Sequence, residues 1–258
     1  DLVSVRVGDA TKEDLHGFGA VFSDPGRRTA RGRVFDPRAY EPPLDVVLNL
    51  ACRAPAACVK VAPGIPHEAV PDGAEAEWVS VGGDVKEAAL WLGELAGDVG
   101  RRATLLPSDH DPRVCSLTPH GLGDPDVRSW GRYLYEPDGA VIRAHLVAEV
   151  AELVGGALAD PHIAYVTSDR LCCTPFASVY EVEDVMPFSV KRLRAELRRR
   201  GVGVLTVKKR GSAVDVDRLR RELGFAGRRA PRDAPELTVV VTRVGRNPVA
   251  LLTRPVPN

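Results

Sequence analysis

Over the first hundred residues, short apolar runs alternate with helix-periodic stretches, and this rhythm narrows the choice of fold more than any other feature. Strands separated by helical patterns build βαβ units around a largely parallel sheet. Strands are expected at Leu2–Val7, Ala20–Ser23 and Cys58–Val61. A helix is expected over Pro43–Arg53, because Leu44, Val47, Leu48 and Ala51 fall on one face. Two readings compete from Glu77 to Gly93. Asp84 with Glu87 resembles a capping box and so a helix start, whereas Gly82-Gly83-Asp84 between two apolar stretches reads as a hairpin turn.

A second rhythm begins after a polar stretch, Pro107 to Trp130, that is rich in Pro, Gly, Asp and His and has no periodicity. Ile142, Leu146, Val147, Val150 and Leu153 make one helical face that stops at Gly155-Gly156. Strands at Ile163–Thr167 and Ser178–Val185 follow, then an amphipathic helix, Ser189–Arg200. That helix turns Val190, Leu193 and Leu197 inward and Lys191, Arg192, Arg194, Arg198, Arg199 and Arg200 largely outward. Strand Val204–Val207, helix Ala213–Leu223 and strands Leu237–Arg243 and Val249–Leu252 complete it. The expected division is an α/β domain over 1–107, a linker over 108–130 and an α+β domain over 131–258.

Composition limits the function classes. The chain has 258 residues, 44% hydrophobic and 27% charged, which is enough for a true core in one large or two ordinary domains. No run nears the roughly 20 apolar residues of a membrane span. The five cysteines lack zinc-site spacing and read as reduced thiols of a cytoplasmic protein. His16, His67, His110, His120, His145 and His162 are isolated, so no metal site is expected. The net charge is zero, yet 12 Lys/Arg face 4 Asp/Glu between Met186 and Leu223, leaving +8 there and −8 elsewhere. Such polarity suits an anionic partner, although solvated helix faces would produce the same count.

Two short motifs stand at expected strand ends, where an open α/β sheet binds its ligands. Val7-Gly8-Asp9-Ala10 closes the first strand, and Val21-Phe22-Ser23-Asp24-Pro25-Gly26-Arg27-Arg28 closes the second. Lys60-Val61-Ala62-Pro63-Gly64-Ile65 ends a third. From Val7 to Ile65 the chain resembles the second half of class I S-adenosylmethionine-dependent methyltransferases. It is most similar to a bacterial group with an Asp-Pro-x-Arg-Arg motif followed by Phe-Asp-Pro, here Asp24 to Arg28 and Phe35 to Pro37. Leu205-Thr206-Val207-Lys208-Lys209-Arg210-Gly211 looks like the THUMP-like domain of the same group.

The resemblance implies a partial Rossmann-like methyltransferase sheet ending in an antiparallel hairpin, which favours the hairpin reading of Glu77–Gly93. It implies S-adenosyl-L-methionine as cofactor, with Gly8, Asp9 and Ala10 at its adenine and Asp24 and Pro25 beside methyl donor and substrate. Arg27 or Arg28 would hold a substrate phosphate. The family's glycine-rich turn and ribose-binding acid have no counterpart here. The chain is therefore expected to be the C-terminal part of a methyltransferase, inactive alone and completed by a missing N-terminal segment or a partner chain. Gly26 and Arg27 stand where amine-methylating loops carry prolines and an aromatic ring, so methylation of a base amine is not carried over. The loop also resembles that of uracil-C5 methyltransferases, which need a cysteine nucleophile. Cys52 and Cys58 offer no evident one.

In the basic region, Lys208, Lys209, Arg210 and Gly211 lead into Ser212-Ala213-Val214-Asp215, a plausible capping box. Three cations beside a helix N-terminus would bind an anion. With Lys191, Arg192, Arg194 and Arg198 they are the expected contacts to RNA, a tRNA or rRNA by the THUMP resemblance. The rival to an RNA methyltransferase is a non-catalytic RNA-binding module lacking a complete cofactor site.

Overall fold

The computed structural model describes residues 3–29, 32–34, 36–107, 113–225 and 234–257. Phe35 and His110 lie outside the described residues. The chain divides into two compact units, Asp1–His120 with Gly139–Leu146, and Gly121–Asp138 with Val147–Asn258.

The first unit contains β1 (Ala20–Ser23), the short pair β2 (Arg28–Thr29) and β3 (Gly32–Arg33), and α1 (Leu44–Ala51). It continues through β4 (Ala56–Val61), β5 (Glu75–Val81), β6 (Asp84–Gly93), β7 (Arg101–Leu106), β8 (Cys115–Leu117) and α2 (Gly139–Arg143). Six strands form one sheet in the order β1-β4-β6-β5-β7-β8. β1 and β4 run parallel, with Ala20 opposite Ala56, and β6 inserts antiparallel between β4 and β5. The hairpin reading therefore holds. Gly82 and Gly83 take φ of 58° and 85°, the left-handed pair that a two-residue turn demands. Helix α1 buries Leu44, Val47 and Ala51, the face expected from the periodicity.

The strand expected at Leu2–Val7 does not form. Val3, Val5 and Val7 belong to no strand and are 77%, 86% and 104% exposed. Apolar alternation makes a strand only where a neighbour supplies ladder bonds and a layer supplies cover. These residues have neither, and β1 is the edge strand of the sheet.

The second unit contains β9 (Tyr133–Pro137), α3 (Val147–Leu153), β10 (Ala157–Asp160), β11 (Ile163–Ser168) and β12 (Ala177–Pro187). α4 (Val190–Arg199), β13 (Val204–Lys209), α5 (Val216–Leu223), β14 (Glu236–Val244) and β15 (Asn247–Val256) follow. Its sheet runs β10-β11-β9-β12-β15-β14-β13, antiparallel except between β13 and β14. Leu193 and Leu197 of α4 and Leu219 and Leu223 of α5 pack with Val239, Val241 and Leu252 in one core.

The helix expected through Ile142 and Leu153 is two helices. Residue 145 ends the first. The Leu146 N–H donates to Val141 O at 2.9 Å and the His145 N–H to Ile142 O at 3.1 Å, with His145 at φ 54°. This is a Schellman stop with histidine where glycine usually sits. α2 packs on β5, β6 and β7 of the first unit, whereas α3 packs on β10 and β11 of the second. The stretch expected as a bare linker, 108–130, also carries structure: β8 pairs with β7, and Val127 bridges Leu158.

Candidate active site and cationic surface

Beyond β1 the chain enters the loop Asp24–Arg27, which is fastened at three points. Pro25 is buried. The Gly26 N–H donates to Glu41 O at 2.8 Å, and the Glu41 N–H returns a bond to Gly26 O at 2.9 Å. Tyr40, only 3% exposed, accepts the Ala62 N–H at its hydroxyl at 3.2 Å, tying the segment before α1 to the end of β4. The loop is thus held at the carboxyl ends of the two parallel strands, where this sheet type presents reactive groups.

Lys60 on β4 lies 3.8 Å from Asp24 and 2.8 Å from Glu87 of β6. The hydrogen bond to Glu87 raises the Lys60 pKa, so its ammonium stays charged and cannot serve as a base. Its role is to neutralise the two carboxylates. Arg27 sits in the same charge field, and its Nη1 is buried without a hydrogen-bond partner. A buried unpaired guanidinium nitrogen is an open donor that a ligand oxygen would satisfy. Arg28 lies in β2, its backbone paired with Arg33. Tyr40 and Glu87 escaped the sequence reading. Glu87 had a visible signal, but it was absorbed by the rival capping-box interpretation.

Asp9 is placed differently from the expectation. It caps a single 3₁₀ turn, Ala10–Lys12, accepting from the Thr11 N–H at 3.0 Å and the Thr11 hydroxyl at 2.6 Å. These bonds, with Lys12 at 3.3 Å, hold its carboxyl below the usual range. Gly8, Asp9 and Ala10 are all exposed and follow no strand. Cys58 is buried in β4, and that burial raises its thiol pKa. Cys52 is exposed at the end of α1. Cys58 is therefore not an activated nucleophile, because a catalytic thiolate needs a lowered pKa.

In the second unit the seven expected RNA contacts separate into two kinds. Lys208 Nζ donates to Glu136 Oε2 at 2.6 Å and lies 5.5 Å from the Tyr180 ring centre. Lys209 Nζ donates to Val214 O at 2.7 Å. Arg210 lies over the Tyr165 ring at 5.3 Å and 3.7 Å from Glu136. Burial pushes the Tyr165 pKa up to about 12. All three cations are thus engaged within the protein. The helix beyond them starts at Val216, not Ala213. Asp215 caps it by accepting the Arg218 N–H at 2.7 Å, so its free end already holds a carboxylate. Glu136, the Val214 carbonyl and Asp215 thus stand where the sequence suggested an anion.

On α4, which the sequence placed at Ser189–Arg200, Ser189 is the N-cap. Arg194 donates to Glu222 O, Arg199 pairs with Glu196 at 2.5 Å, and Arg200 pairs with Glu196, Glu183 and Asp184. Lys191, Arg192 and Arg198 are exposed, with no ion pair among the described residues. Arg221 of α5 is likewise exposed.

Known proteins resemble both units. Residues 177–255, from β12 through β15, match the THUMP domain-like family. Two curated Mycobacterium tuberculosis proteins, from strains CDC 1551 / Oshkosh and H37Rv, are each called an uncharacterized S-adenosylmethionine-dependent methyltransferase. Each is 37% identical over 243 residues, covering 90% of this chain. The chain spans 62% of the length of these relatives. The crystal structure of a candidate methyltransferase from Porphyromonas gingivalis W83 shares the fold, with a TM-score of 0.71 at 21% identity, over 93% of this chain and 60% of that one. The fold is that of a methyltransferase sheet followed by a THUMP-like α+β domain. The chain is a sequence relative of S-adenosylmethionine-dependent methyltransferases, as its motifs implied.

Proposed function

We propose that the chain is part of an S-adenosylmethionine-dependent RNA methyltransferase, inactive alone, with a tRNA or rRNA as substrate. The Asp24–Arg27 loop would face the reacting atoms, and the α4 surface would hold RNA phosphates. The observation that carries this reading is the fastened loop at the ends of β1 and β4, with Arg27 Nη1 buried and unpaired. S-adenosylmethionine, when bound, supplies an electrophilic methyl group. Asp24 and Pro25 would position the target atom against it, and Arg27 would take a substrate oxygen. Such transfer needs proximity and alignment rather than an acid–base pair. That agrees with a loop whose only nearby lysine is held charged.

RNA is supported by the THUMP-like match and by the exposed cations Lys191, Arg192 and Arg198. These contacts would position the nucleic acid without reading its bases. One observation favours the second reading, a non-catalytic RNA-binding module: Asp9, the adenine-contact candidate, is satisfied by its own turn. Transfer of radiolabelled methyl from S-adenosylmethionine to unmodified tRNA and rRNA transcripts, measured with the chain joined to the segment that completes its cofactor site, separates the two. The enzyme reading expects labelled RNA that Asp24→Ala abolishes while RNA affinity stays unchanged. RNA binding with no label supports the binding module; label indifferent to Asp24 removes the role given to that residue.

A further inference from the structure

The first unit contains a column of three rings that the methyltransferase reading does not use. Trp78 of β5 is 1% exposed, and its indole N–H donates to Pro63 O at 3.0 Å. His67 stacks on it with centroids 4.8 Å apart and planes 18° apart. His145 stacks in turn on His67, at 3.7 Å and 14°. Burial decreases along the column, from the enclosed Trp78 to the half-buried His67 and the exposed His145. The column thus has a closed end in the core and an open end in solvent.

The open end lies in a cleft of about 390 Å³ lined by Gly64, Ile65, His67, Glu68, Arg143 and His145, among others. Its geometry is set by the backbone. His145 has the only positive φ of a non-glycine residue among the described residues, at the Schellman stop of α2. His67 Nε2 donates to Arg143 O at 2.7 Å, which joins the two histidine-bearing segments and fixes the His67 ring. A non-glycine residue held in the left-handed region warrants a search for function. Here the strained residue carries the terminal ring.

We propose that this cleft binds a nucleotide, with its base stacked on the outer face of His145 and its phosphate on Arg143. An aromatic ring with one open face is the platform on which bases stack, because every base has a π-face. Arg143 is exposed and lines the same cleft, and guanidinium groups suit phosphate. Glu68 would repel a phosphate placed beside it, but it can accept an exocyclic amine of the base. The same chemistry could come from a free mononucleotide or from an unpaired nucleotide of an RNA strand. The second source rests on the RNA reading above; the first does not.

The test uses the full chain with His145→Asn, His145→Phe and Arg143→Gln. Asparagine tolerates positive φ but removes the ring, and phenylalanine restores a ring. Binding of AMP, UMP and a short single-stranded oligonucleotide is followed by titration, together with the His145 ring resonances. The expected result is that His145→Asn weakens both ligand types by about five- to a hundredfold, the range for one stacked base. His145→Phe should recover most of that loss, Arg143→Gln should weaken binding, and the His145 ring signals should move upfield. Mononucleotide binding with this pattern, but no RNA binding, upholds the site and removes the RNA reading. RNA binding indifferent to His145, or no binding of either ligand, overturns the site. A His145→Phe variant as weak as His145→Asn also overturns it, because stacking would not be the cause.

Discussion

Lys208 offers the sharpest stability prediction, because its partner lies 72 residues away in sequence and the pair is neither buried nor free. The side chains of Lys208 and Glu136 are 35% and 18% exposed. Breaking a buried pair by removing one partner costs about 3–5 kcal/mol, whereas an exposed pair contributes about 0–1 kcal/mol. Lys208 is one-third exposed, and Arg210 remains 3.7 Å from Glu136 when Lys208 is gone. Both facts reduce the loss, so Lys208→Met should cost about 1–2 kcal/mol. For a chain of this size that lowers the melting temperature by about 2–8 °C. Calorimetry on Lys208→Met, Glu136→Gln and the double variant measures it. The double variant should lose clearly less than the sum of the single ones, because removing the acid removes the need for the cation. Simple additivity would refute the pairing and return Lys208 to the set of free RNA contacts.

Three further outcomes are expected. Tyr40→Phe strands the Ala62 N–H and should cost about 1–3 kcal/mol in thermal or urea unfolding, with RNA affinity unchanged. The His145 pKa is lowered by partial desolvation of its stacked ring and by neighbouring His67 and Arg101, so the unfolded chain takes up that proton more readily. Stability should therefore fall as pH drops below the ordinary value of 6.5, and His145→Asn should remove that part of the slope in pH-dependent melting. Asp24→Ala should abolish methyl transfer without lowering the melting temperature, since its contact with Lys60 is long and half-exposed.

Local sequence revealed the elements whose determinants lie within one or two turns. α4 was legible because Ser189 caps it and its apolar residues keep helical spacing, so Leu193 and Leu197 are buried. The hairpin of β5 and β6 carried two contradictory local signals, and its place in the sheet decided between them. What was not legible depends on distant partners. Val3, Val5 and Val7 alternate correctly, but alternation cannot say whether a neighbouring strand is present. Ile142 through Leu153 keeps one helical face across a break at His145, because the face is divided between two units and a histidine does the work expected of glycine. The candidate active site was legible as a motif but not as an arrangement. Asp24 and Pro25 announce themselves, while Tyr40, Lys60 and Glu87 enter only when the sheet brings them together. The partner of the basic run at 208–210 was hidden for the same reason: Glu136, its counter-charge, sits on β9.

The separation of engaged from free cations is the central claim about the second unit, and the salt dependence of RNA binding tests it most directly. Each phosphate contact adds about 0.7–0.9 to the slope of log K against log salt. Changing Lys191, Arg192 and Arg198 together to Gln should flatten that slope by about 2 to 3. Changing Lys208, Lys209 and Arg210 to Gln should alter it by less than about 1, despite the same loss of charge. A larger effect from the second triple than from the first would contradict the account.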